Sequence, residues 1–238
     1  MNAFAYGLFL QWKLDIRGKA LLITCYAIPL AFFFIMGAVF SAIMPEARYT
    51  LIQTMIILSA VMVSAVGLPQ LLIETYGSDV KSVYKANGVP LYLGVVTHFI
   101  SAFIHLMIVS AIMFFLAPIV FDAAPPENLP VFVVSLVSFA IVSLSLGSFL
   151  GLTLKDATKL SMVSQIIMLP SMMLSGIMFP VDMLPRALGY VSMIFPATWG
   201  NVAMTNNAFE LVPFVVLGGM LLVFLVACGG ALSKTVKE

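Results

Sequence analysis

Two histidines, His98 and His105, stand inside the long charge-free stretch from Ala86 to Phe121. Seven residues apart on a helix, they share a face but lie about 10 Å apart along its axis, so a single metal ion could not bind both. Gly94, Thr97 and Ser101 extend that face into a polar stripe at helical spacing. Ionisable groups in a membrane-crossing helix turn toward the helix bundle or a wet cavity. His98, Ser101 and His105 are therefore candidate pore-lining residues. Neutral histidines hydrogen-bonded between helices are the alternative.

Other chemistry is missing from the sequence. There is no His-Glu-x-x-His, no Gly-x-Ser-x-Gly and no pair of carboxylates within an apolar stretch, which argues against a membrane-embedded enzyme. Gly18-Lys19 is the only Gly-Lys pair, and it lacks the upstream glycine and following Ser or Thr of a phosphate-binding loop. Cys25 and Cys228 fall in apolar stretches, outside any thiol-pair or metal spacing, and read as small packing residues. No catalytic residue, bound metal or bound cofactor is expected on this chain.

The elements that hold the histidines are set by composition. Of 238 residues, 62% are hydrophobic and 9% charged; a soluble domain carries about 25% charged residues. The expected class is an all-α polytopic membrane protein forming a single domain over residues 1–238. No cleavable signal peptide is visible, because Lys13, Arg17 and Lys19 follow the first apolar residues rather than precede them. Residues 1–19 read as an interfacial amphipathic helix, with Phe4, Leu8 and Trp12 (Leu10 and Leu14 nearby) against Gln11, Lys13, Asp15 and Arg17. Charge-free spans follow over Ala20–Pro45, Tyr49–Ile73, Leu91–Ala117, Val131–Leu154, Leu160–Val181 and Leu211–Leu232, each long enough to cross about 30 Å of hydrocarbon. Gly67 and Pro69 are expected to bend the end of the second. Gly147-xxx-Gly151 in the fourth, and Ser171, Ser175 and Gly176 in the fifth, are places where helices can approach closely.

Between the second and third spans lies Glu74–Asn87, ETYGSDVKSVYKAN. Ser78 suits an N-cap, Asp79 a first turn and Lys85 a last turn, and Asn87-Gly88 before Pro90 is a stop signal. Val80, Val83 and Tyr84 share one face of this short helix, and Lys81 and Lys85 another.

A seventh charge-free run, Ala187–Phe209, makes the number of crossings a question. Leaving it out gives six spans with both termini on the inner side. Lys13, Arg17, Lys19, Lys81, Lys85, Lys155, Lys159, Lys234 and Lys237 then lie inside, against Arg48 and Arg186 outside. Since Lys and Arg set orientation, six spans is the reading that fits.

That run also belongs to the most unusual part of the chain. A charge-free span ends in Leu174–Pro180 (LSGIMFP), a few residues lead to Leu184-Pro185, and a second apolar stretch from Ala187 stops at Pro196, within Phe195–Trp199 (FPATW). Gly200, Asn201, Asn206 and Asn207 follow as polar, irregular chain that hydrocarbon would not tolerate uncovered. This order resembles the type-2 ABC transporter permeases, the membrane halves of ATP-driven exporters. The resemblance is close over this segment and rests on general layout elsewhere.

The resemblance implies re-entrant half-helices over 180–209, with Pro180, Pro185 and Pro196 at a gate, and a coupling helix over 74–88 that plugs into an ATPase. Its contact residues would be Glu74, Tyr76, Gly77, Val80, Lys81, Val83, Tyr84 and Lys85. The family often has Arg-Glu with a glycine two residues on; only Glu74 and Gly77 remain here, at a different spacing. Two copies of an ABC ATPase subunit, carrying the ATP and Mg, and a second permease copy (the same chain or a close homologue) are the implied partners, with the lipid bilayer and no nucleic acid. The implied setting is a bacterial plasma membrane, and the implied function is efflux of an amphiphilic small molecule, drug or peptide, as in multidrug transport. Export of a lipid-linked glycan or lipid is the alternative, and a secondary transporter or channel is a more distant one.

Overall fold

The computed structural model describes residues 3–18, 22–76, 86, 90–154, 156–179, 183–206 and 208–237. Helices form all the regular structure among them, with no strand. Helix α1 covers Ala3–Arg17. Six further helices are long and apolar enough to cross a membrane: α2 Ile23–Ile43, α3 Leu51–Tyr76, α4 Leu91–Phe121, α5 Leu129–Thr153, α6 Ala157–Leu174 and α9, which begins at Leu211. Between α6 and α9 stand two short helices, α7 Arg186–Ser192 and α8 Pro196–Thr205. At about 10 and 15 Å neither is long enough to cross, so the six-span count holds.

The second span is the hub. Every residue from Leu51 to Ala65 is buried, including Gln53, Thr54, Ser59 and Ser64. Such a helix is enclosed by other helices rather than by lipid. The irregularity expected near Gly67 is a π turn over Val63–Gly67, and a second π turn, Ile23–Ala27, opens α2. The two turns touch, with Gly67 beside Thr24 and Cys25. A π turn widens the helix and loosens its backbone ladder. Here Ser164 of α6 donates its hydroxyl to the carbonyl of Ala65 within the turn. From the other side α5 packs against it, with Gly147 on Ser64 and Gly151 on Pro69 and Leu72. The small-residue spacing in the fourth span is thus a helix contact, onto the second span.

Capping follows local chemistry at two loops. Asn128 accepts the Val131 N–H at 3.3 Å to start α5, and Asp156 Oδ1 accepts the Thr158 and Lys159 N–H groups at 2.7 and 3.2 Å to start α6. Those N–H bonds, to Lys159 first and then Thr158, hold the Asp156 carboxyl below its ordinary value.

Two expectations about the broken segment are corrected. The fifth helix ends at Leu174 instead of running on to Val181. Gly176 has φ 79°, a left-handed backbone that favours glycine, and it turns the chain before Pro180 is reached. Pro196 does not stop a helix but opens one, because proline at the first helical position loses no hydrogen bond and has φ already set. Gly200 and Asn201 accordingly lie within α8, not in irregular chain.

Candidate functional site

Helix α1 meets the bundle with a polar face. Asp15 is 3% exposed, while Phe9, Leu14 and Ile16 are exposed. For Asp15 this departs from the sidedness expected from the sequence, where it belonged with Lys13 and Arg17 on the solvated face; those two are exposed. The reason is a partner that only the fold supplies: Ser101 of α4 donates to Asp15 Oδ2 at 2.5 Å, and Gln11 Nε2 donates to Oδ1 at 2.7 Å. One turn before Asp15, the Trp12 ring stacks on His105, with centroids 6.4 Å apart and planes 25° apart. Gln11, Trp12 and Asp15 sit at helical spacing on one side of α1, so the signal was present as a lone acid between Lys13 and Arg17, though nothing in the sequence said which side faced protein.

His98, Ser101 and His105 are all buried, along with Thr97. They face α1 and the first two spans. His105 Nδ1 is hydrogen-bonded to the Tyr26 hydroxyl of α2 at 2.7 Å, with the Tyr26 ring edge-on. His98 Nε2 lies 2.9 Å from Thr75 Oγ1 of α3. Thr75 gives its one hydroxyl proton to the carbonyl of Leu71, also at 2.9 Å. With that proton given to Leu71, the Thr75 oxygen can accept from His98 Nε2–H, the tautomer that leaves His98 Nδ1 as a lone pair. That nitrogen is buried without a partner, as are His105 Nε2 and Trp12 Nε1. One cluster thus joins α1 to three spans through residues 11 to 105. Tyr26, Thr75, Trp12 and Asp15 are members that the sequence reading did not single out.

Of the residues assigned to ATPase contact, Glu74 and Tyr76 end the second span. Glu74 Oε1 accepts from Gln70 Nε2 at 3.0 Å, and the Tyr76 hydroxyl donates to the carbonyl of Leu91 at the start of α4. Gly77, Val80, Lys81, Val83, Tyr84 and Lys85 lie outside the described residues. So does Pro180; Pro185 precedes α7 as its N-cap residue and Pro196 begins α8.

At the opposite end of the bundle from α1, the break after α6 is pinned to α8. Ser175 is fully buried; its hydroxyl is hydrogen-bonded to Thr198 Oγ1 at 3.0 Å and its carbonyl accepts from Asn201 Nδ2 at 3.1 Å. Beside this junction opens a cavity of about 420 Å³ between the ends of α2 and α3, the broken segment and α8. Phe40, Met44, Ile177 and Met178 give it apolar walls, and Glu46 and Asn201 supply polar groups. A cleft of that size with mostly apolar walls and a few polar groups is the usual form of a small-molecule site. A second, more open cleft of about 520 Å³ lies between α7 and α8 against Tyr190 and Trp199.

Six spans, a buried polar hub and a span that breaks into short helices before the last crossing define a multi-pass helical membrane protein. The sequence pattern of the ABC-2 type transporter family matches residues 4–209. The chain belongs to that family and is a membrane subunit of an ABC-2 type transporter. A comparison with curated proteins gives no match.

Proposed function

We propose that this chain is one half of a dimeric export pore in a bacterial plasma membrane, carrying an amphiphilic small molecule, drug or peptide outward. Family membership implies an ABC ATPase partner; in this reading two such subunits hydrolyse the ATP and hold the Mg, and this chain is not itself an enzyme. The segment 74–88 docks on the ATPase and transmits its closure, and α7 and α8 act as half-helices at the outer surface. Both termini are cytoplasmic, as the distribution of Lys and Arg favours. The second copy of the permease packs on the first and fifth spans, whose outer faces carry exposed Ile35, Val39, Met162, Ile166 and Leu169.

The observation that carries the cargo class is the 420 Å³ cavity, with Phe40, Met44, Ile177 and Met178 for an apolar body and Glu46 for a cationic or hydrogen-bonding head. A glycan would need a longer polar path than these walls offer.

The test is reconstitution with the neighbouring ATPase in inside-out vesicles. ATP-dependent accumulation of a fluorescent cationic amphiphile, weakened several-fold by Glu46→Gln, is the expected result. ATP-dependent movement of a lipid-linked glycan with no uptake of the amphiphile would replace this reading with its alternative.

A further inference from the structure

We propose that the cluster of Asp15, His98 and His105 is a proton-binding site that clasps α1 to the third span. The proposal concerns the apposition of a buried carboxylate and two buried imidazoles, and it holds whatever the cargo.

Asp15 touches α4 at Ser101, three residues after His98 and four before His105. At 1.5 Å per residue the backbone of Ser101 lies about 4.5 Å along the axis from that of His98 and about 6 Å from that of His105. Its two hydrogen-bond donors, Gln11 and Ser101, are neutral. A carboxylate removed from water and held only by neutral donors is costly, and a cation beside it relieves that cost. The buried groups on this face of α4 able to become cations are the two imidazoles, and His98 Nδ1 is buried without a hydrogen-bond partner. One proton on that ring makes the cluster neutral overall.

Other charges and titratable groups come from every packed element. On α1, Lys13 and Arg17 are exposed on the far side. On α2 the facing groups are Tyr26, bonded to His105, and Cys25, whose nearest charge is Asp15. On α3 they are Tyr76 and Glu74, the second carboxylate whose field reaches His98. The fourth span has no titratable side chain. The Asp15 carboxylate, on the neighbouring turn, is what holds the proton in the cluster.

The consequence is mechanical. With the proton bound, α1 is held by the attraction between an imidazolium and the Asp15 carboxylate as well as by the Trp12–His105 stack. With the proton lost, a lone buried charge remains and the clasp weakens, so docking of α1 is favoured at lower pH.

Only two histidines occur in the chain, so their spectra can be read directly. The test uses the full chain, purified on a tag without histidine, labelled with ¹³C and ¹⁵N histidine and placed in lipid bilayers. Between about pH 8 and about pH 5, where histidine changes charge, one imidazole should become doubly protonated. Asp15→Asn keeps the size of the side chain and removes the charge, and should lower that midpoint by about 1 pH unit or more. Lys13→Gln, on the exposed side, should leave it within a few tenths. Two neutral imidazoles throughout the wild-type titration would overturn the proposal without any variant. A midpoint unmoved by Asp15→Asn would overturn it too. Neither readout depends on transport, so failure here and failure of the export reading are separate results.

Discussion

Gly147 in the fourth span lies against the backbone of Ser64 in the second, so closely that a methyl group at Gly147 would stand 2.2 Å from the Ser64 carbonyl oxygen. The obstacle is backbone inside a π turn, and no side-chain rotation can relieve it. Gly147→Ala must therefore push the two spans apart, at about 1–3 kcal/mol for overpacking. Melting of the purified protein in detergent should shift down by several degrees. Gly218→Ala in the last span, where no atom lies within 4 Å, should leave the melting temperature unchanged.

Topology is tested by single cysteines in a background lacking Cys25 and Cys228. Pro125→Cys and Asp182→Cys should react with a membrane-impermeant maleimide in intact cells. Ala157→Cys, at the start of the fifth span, should react only after the membrane is opened. Labelling of Asp182→Cys and Ala157→Cys from the same side would contradict the six-span arrangement.

The segment from Ser78 to Asn87 is where coupling to the ATPase is expected. Burying Tyr84 with Val80 and Val83 in a cleft would contribute several kcal/mol at about 25 cal/mol per Å² of apolar area, before the costs of association. The double substitution Val83→Asp, Tyr84→Asp should release the ATPase, or leave it hydrolysing ATP without export, while membrane insertion is unchanged. Co-purification and coupled transport assays read the two effects. Normal binding and export by this variant would mean that the segment only rests on the membrane surface.

Asp156 gives a pH signature at the start of the fifth span. Its folded-state pKa is depressed below the ordinary 3.8 by the Lys159 and Thr158 N–H bonds. The sign follows: the cap contributes stability above the unfolded value and loses it as pH falls through the folded value. Asp156→Ala should melt lower than wild type at neutral pH, and the gap should close as acid protonates the wild-type carboxyl. Asp156→Asn, which still accepts the N–H bonds, should stay close to wild type at neutral pH.

The solvent decided most of what the sequence could reveal. Hydrocarbon demands about 20 apolar residues per crossing and expels Lys and Arg to the ends, so six spans and the loops between them are legible in composition alone. A break before the last span is likewise written in the prolines, although its place, after Leu174 at Ser175 and Gly176, is not. The fold alone decided which polar group went inside and which partner each glycine met. Asp15 and Ser101 are 86 residues apart, and Ser164 and Ala65 are 99 apart. Nothing local distinguishes Asp15 from its neighbours Lys13 and Arg17 until α4 brings a hydroxyl to it. The small-residue spacing at Gly147 marks a helix contact, yet only the fold shows that it meets the backbone of Ser64 while Gly218 has open space around it. Period and polarity report a residue's preference for a solvent, whereas contact between helices is a property of two distant segments at once.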